Sequence, residues 1–239
     1  MGQRGARDSP EHLRRLRLLC EPRRARWRKV ARLNDFDVRS ALHHQLREAH
    51  GLPPNALIVD ELGLCQGSVR VDVVLVNEHL HGFEIKADGD SLERLPRQVA
   101  IYGRALEIVS LVTAERHLAR AEAIVPPWWG VAVATPRHGA VHIDWRRRAD
   151  FNPGVEALAL AQLLWRDEVV QCLTRLGFAP GIRSKPRHAL WTRLADVLSL
   201  DELKCLVKST LKRRGDWRSQ RRDAAPNLLA GSRPSSCDG

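Results

Sequence analysis

Apolar positions along the chain follow two rhythms, with a change near residue 155. Asn34 or Asp35 suits a helix N-cap, and Phe36, Val38, Leu42 and Leu46 then mark the apolar side of a helix ending near His50, where Gly51 and Pro53-Pro54 stop it. Three runs with strand character follow at 57–62, 69–76 and 80–86, separated by Gly67-Ser68 and by Asn77-Glu78-His79. A helix is expected over roughly Ser91–Leu106, its regular part starting at Pro96. A short strand at 108–112, a helix at 114–124 broken by Pro126-Pro127, and strands at 130–134 and 140–143 complete this half. From about Val155 the pattern turns to Leu- and Ala-rich helices with Trp165 and Trp191 as anchors, and Ser199 with Glu202 forms a capping box before a last helix ending near Arg214.

This order predicts an α/β fold, a mixed sheet flanked by helices, with a C-terminal helical extension. The expected divisions are a basic arm at 1–33, a core at 34–150, helices at 151–217 and a loose tail at 218–239. The arm is either a solvated helix around Leu13, Leu16 and Leu19 or an unfolded segment.

The net charge of +11 gains meaning once it is located. Residues 1–33 hold 11 Lys/Arg against 3 Asp/Glu, and residues 200–239 hold 9 against 5, so the middle is near neutral. Basic ends suit a polyanionic partner, because phosphate contacts release counterions. Arginine outnumbers lysine 33 to 6, which a genome-wide compositional habit explains equally well. The five cysteines are scattered with no CxxC pair, which argues against a disulfide framework or a zinc ribbon and suits a reducing cytoplasm. No run reaches the ~18 apolar residues of a membrane span, and nothing near the N-terminus reads as a signal peptide.

The chemistry concentrates between residues 61 and 102. In Gly82-Phe83-Glu84-Ile85-Lys86, strand alternation sends Glu84 and Lys86 to one face, with Gly82 leaving that face open, and Phe83 and Ile85 to the other. Asp72 stands in a valine-rich strand, where a carboxylate is costly to bury without a cation. Glu61, or its neighbour Asp60, ends the strand before it. Converging carboxylates with one ammonium suit phosphodiester hydrolysis: oxygen ligands hold a hard cation such as Mg²⁺, and a lysine beside it orients water and counters developing charge. Gln98 and Tyr102 share a helix face four residues apart. Arg183, Lys185 and Arg187, in a loop between helices, are candidates for phosphate contacts. His43 and His44 read as surface or packing residues, and Trp128-Trp129 as closing the core.

Glu61, Asp72 and Glu84-Ile85-Lys86, followed by Gln98-Val99-Ala100-Ile101-Tyr102, resemble the acidic positions, lysine and QxxxY element of the PD-(D/E)XK nuclease superfamily in its RecB-like branch. The run Gly82–Asp88 with Asp90-Ser91-Leu92 resembles small uncharacterised bacterial members. Val71 stands where the proline of the family name belongs. The resemblance covers about residues 34–135 and implies a restriction-endonuclease-like core. It also implies a Mg²⁺- or Mn²⁺-dependent nuclease acting on nucleic acid, with DNA the expected substrate and a homodimer one assembly that members of the fold adopt. Metal would fall to Glu61, Asp72, Glu84 and the Ile85 carbonyl, with Lys86, Gln98 and Tyr102 completing the site. The alternative is a nucleic-acid-binding module that keeps the fold without catalysis.

Overall fold

The computed structural model describes residues 32–51, 55–178 and 180–215. Most of the basic arm and the whole of the 218–239 tail lie outside the described residues, and so does the helix expected around Leu13, Leu16 and Leu19.

The first helix, α1 (Asp35–His50), begins where the Asn34 side chain accepts the amide of Asp37, and it buries Val38, Leu42 and Leu46. Phe36, expected on that apolar side, is instead 73% exposed, because helical rotation carries it off the buried stripe. Six strands follow: β1 (Leu57–Leu64), β2 (Val69–Val76), β3 (Leu80–Lys86), β4 (Ile108–Ala114), β5 (Gly130–Arg137) and β6 (Ala140–Arg147). They lie side by side in sequence order in one sheet. The pairs β1–β2, β2–β3 and β5–β6 are antiparallel, while β3–β4 and β4–β5 are parallel. Each parallel step needs a crossover, supplied by α2 (Leu95–Ala105) and by the short α3 (Leu118–Glu122) with the turn of 3₁₀ helix before it. The mixed sheet flanked by helices is therefore observed.

Several boundaries move. The helix expected over 114–124 gives its start to β4 and keeps five α-helical residues, and β5 and β6 run on to a tight hairpin where His138 and Gly139 take positive φ. Such a turn needs residues that tolerate the left-handed region.

Both sheet faces are covered. One carries α1 over Val73, Leu75, Phe83, Ile85, Val112 and Ala132. The other carries α2 and the C-terminal helices α4 (Ala157–Ala161), α5 (Arg166–Arg175), α6 (Arg187–Val197) and α7 (Leu200–Arg214). Leu160, Leu173, Leu194 and Leu211 of those helices share a continuous core with Val74, Tyr102, Leu111 and Trp129, so the helical extension is the cover of a sheet face. A largely buried ion pair, Lys208 to Glu107 at 3.2 Å, ties α7 to the residue just before β4, and a bond from Lys208 to the Glu78 carbonyl at 2.6 Å ties it to the β2–β3 turn. Trp191 is an anchor as expected, its indole N–H donating to the Leu164 carbonyl. Trp165 is not: it is 45% exposed at the start of α5, beneath the Arg214 guanidinium. Trp129 does close the core and stacks parallel to Tyr102. No helix among the described residues is long and apolar enough to cross a membrane.

Candidate active site

The site forms where β1, β2 and β3 lose their regular pairing. The β2–β3 ladder runs from Val76↔Leu80 to Val73↔Phe83 and stops, so Asp72 and Glu84 are the first residues past its end. Ile85 has lost its ladder partner on that side, and the Asp72 carboxylate accepts its N–H at 2.7 Å. The β1–β2 ladder is interrupted at the same level: pairs flank Glu61 and Asp72 on both sides, yet those two residues face each other unpaired. Glu61 takes φ 54, a left-handed conformation uncommon for a residue with a side chain. The break also shifts the pleat by one residue. Leu57 and Val59 face the helical core before it, and Leu62 and Leu64 face the same core after it. That shift is why alternation gave two answers for Asp60 and Glu61.

Glu84 and Lys86 project together from β3 toward α2, as their spacing required, and they are 1% and 3% exposed. The Lys86 ammonium donates to Glu84 Oε1 and, at 3.2 Å, to Gln98 Oε1. The Gln98 amide donates back to Glu84 Oε1 at 2.6 Å. The Tyr102 hydroxyl lies 2.5 Å from Glu84 Oε2 and 2.6 Å from the Arg70 carbonyl, two acceptors for a single proton. Burial and the neighbouring Glu84 charge drive the Tyr102 hydroxyl far above its usual pKa, so it remains a donor. Gln98 and Tyr102 thus meet Glu84 and Lys86 from one face of α2. Gly82 does not leave that face open, because a Cβ there would come within 2.5 Å of Leu106, whose side chain fills the space.

Asp72 is the electrostatically awkward member. Burial, then the Glu84 charge, raise its carboxyl from 3.8 to about 7, against the Ile85 N–H and the Arg39 charge. Sequence reasoning missed Arg39. This α1 residue sits over the break, with Nη2 3.1 Å from Glu61 Oε1 and 3.5 Å from Asp72 Oδ1, and Nη1 3.6 Å from Asp60 Oδ1. It also grips Asp35 one turn back and donates to the Asp72 carbonyl. Its only local signal was the Asp35–Arg39 spacing, which most surface helices also show. His43 was read as a surface or packing residue, yet its Nε2 is 2.8 Å from Asp60 Oδ1. That bond and Arg39 hold the Asp60 carboxyl below its ordinary value despite burial. Asp60 is thereby engaged with α1, and Glu61 is the acid across from Asp72.

Asp88 and Asp90 serve the backbone. Asp90 accepts the Ala87 N–H at the turn after β3, and Asp88 accepts the Leu33 N–H just before α1. Arg183, Lys185 and Arg187 are exposed around the start of α6, on none of the elements that build the site.

Chemically this is a set of oxygen donors with two cations already among them. Among the described residues no three His, Cys, Asp or Glu side chains are gathered as a metal cage. The donors nonetheless suit a hard cation: all are oxygens, and Asp72 and Glu84 repel each other across the gap.

A mixed six-stranded sheet with this strand order, flanked by helices and carrying a carboxylate–lysine cluster at the parting of its strands, defines an α/β protein. The family is settled by sequence. Residues 29–224 match the family of bacteriophage P4 protein cII, and the chain belongs to it. Protein cII of Enterobacteria phage P4 is 25% identical over 182 residues, 76% of this chain and 68% of that protein. Among solved structures, SPO1766, a protein of unknown function from Silicibacter pomeroyi, aligns over 81% of this chain and 95% of its own, with 12% identity and a TM-score of 0.40.

Proposed function

We propose that this protein is a metal-dependent nuclease of the PD-(D/E)XK type that hydrolyses phosphodiester bonds in nucleic acid, with DNA the favoured substrate. The observation that carries the reading is the meeting of Glu84, Lys86, Gln98 and Asp72 at the point where β2 and β3 separate. Glu61, Asp72, Glu84 and the Ile85 carbonyl would hold Mg²⁺ or Mn²⁺. When bound, the cation would lower the pKa of a water and stabilise charge on the phosphoryl oxygens. Gln98 holds the Lys86 ammonium from behind, and Lys86 orients water and neutralises charge that develops on the phosphate. Tyr102 and Gln98 fix the Glu84 rotamer through its two oxygens. The exposed Arg183, Lys185 and Arg187 would add phosphate contacts without sequence preference.

A second reading, a binding module without catalysis, draws on the same geometry. Both Glu84 oxygens are spent on Lys86, Gln98 and Tyr102, and Arg39 already neutralises the acids of β1 and β2.

Lys86→Ala separates the two. In the nuclease it lowers cleavage of labelled DNA in Mg²⁺ by orders of magnitude, while affinity measured in Ca²⁺ changes little. A wild-type protein that binds DNA and RNA yet cuts neither in Mg²⁺ or Mn²⁺ would refute the nuclease reading and leave the binding module. Asp72→Ala or Glu84→Ala abolishes cleavage on the same reading, and wild-type rates in either would remove the residue from the site.

A further inference from the structure

We propose that Arg39 is the resident cation of the acid cluster, and that a divalent metal gains Glu61 and Asp72 only in exchange for it. This rests on the metal-dependent reading above and adds a competitor to it. The guanidinium draws together carboxylates from three elements: Asp35 of α1, Asp60 and Glu61 of β1, and Asp72 of β2. Its Nε lies 3.1 Å from Asp35 Oδ2 and its Nη2 3.2 Å from Asp35 Oδ1, so the fork is held at its base as well as at its tips. Its side chain is only 17% exposed. It never loses its proton in a protein, which makes the neutralisation permanent. Five donors in a rigid plane can serve several carboxylates at once in a fixed geometry, where an ammonium offers three rotatable donors.

The other basic side chains nearby are committed elsewhere, His43 to Asp60 and Lys86 to Glu84 and Gln98. Arg39 is therefore the group whose charge stands where a metal would draw on Glu61 and Asp72. The backbone at Glu61 supports the assignment. A left-handed glutamate is costly and persists where its surroundings over-determine it. Here it accompanies the contact with Arg39 at 3.1 Å. The acids and the arginine form one built unit.

Competition and bracing give opposite signs. A brace, once lost, leaves the carboxylates disordered, and metal binds more weakly. A competitor, once lost, leaves excess negative charge, so metal binds more tightly while the metal-free protein loses stability.

The test titrates full-length wild type, Arg39→Gln and Arg39→Lys with Mn²⁺ alone, read by electron paramagnetic resonance and calorimetry. Melting is followed with and without the ion, and Asp72→Asn marks the site. Arg39→Gln should tighten Mn²⁺ binding by about tenfold or more, the order expected when a unit charge a few ångströms away is removed. Arg39→Lys should fall between, and metal-free Arg39→Gln should melt lower, with Mn²⁺ restoring it. If wild type binds Mn²⁺ through Asp72 but affinity in both variants is unchanged or weaker, the competition is overturned and the metal site stands. If neither wild type nor the variants bind Mn²⁺, the competition falls together with the metal-dependent reading. Should Arg39→Gln fail to fold, Arg39→Lys decides alone: tighter binding supports the exchange, and equal or weaker binding overturns it.

Discussion

Tyr102→Phe tests whether the buried carboxylate of Glu84 depends on its surrounding donors. The substitution keeps the ring, its parallel stacking on Trp129 at 5.9 Å and the volume of a fully buried side chain. It removes only the hydroxyl shared by Glu84 Oε2 and the Arg70 carbonyl. A hydrogen bond to a charged group contributes about 1.5–3 kcal/mol, and here the Glu84 carboxylate remains buried without it. The expected loss is therefore about 2–3 kcal/mol, or roughly 5–10 °C in melting temperature for a chain of this size. Urea unfolding at constant m-value measures it. If the charge on Glu84 is what makes the hydroxyl valuable, the same change should cost only about 1 kcal/mol in a Glu84→Gln background. The coupling energy from the double-mutant cycle should then exceed about 1 kcal/mol. Additive losses, within about 0.3 kcal/mol, would refute the idea that Tyr102 acts through the Glu84 charge.

Other consequences are equally open to measurement. Burial, with lesser contributions from His50 and His79, depresses the His81 imidazole from 6.5 to about 3, while its Nε2 stays 2.8 Å from Ser110 Oγ. A depressed histidine gives stability that is complete above the unfolded pKa and is lost as pH falls, so wild type should lose on the order of 2 kcal/mol between pH 6.5 and 5 from this group. His81→Gln should flatten that slope in urea titrations at the two pH values, and parallel slopes would contradict the assignment. Lys208→Met leaves the buried Glu107 carboxylate with the Leu80 N–H but without its ammonium and should cost about 2–3 kcal/mol, with Glu107→Gln in the same background recovering part of it. A loss below about 1 kcal/mol would mean that α7 is not held to the sheet through this pair.

The order of the elements was legible because it rests on local spacing. Valine-rich runs, the helical recurrence of Val38, Leu42 and Leu46, and the Ser199–Glu202 capping box act over a few residues, and each formed where its pattern stood. The meeting of Glu84 with Lys86, and of Gln98 with Tyr102, was legible for the same reason, since pleat and helix periods place each pair on one face. The failures share a different cause. Trp165 and Gly82 were misjudged because hydrophobicity and size do not say which surface a neighbour 20 or more residues away will cover; Leu106 fills the space beside Gly82. Asp60 and Glu61 could not be told apart because a break in two ladders shifts the pleat by one residue, and no alternation count contains that shift. Arg39 was invisible because its meaning lies in Glu61 and Asp72, 22 and 33 residues away, which only the packing of α1 over the sheet brings within reach of one guanidinium. Local chemistry placed the acids and the lysine on their strands, and long-range packing chose the cation that stands among them.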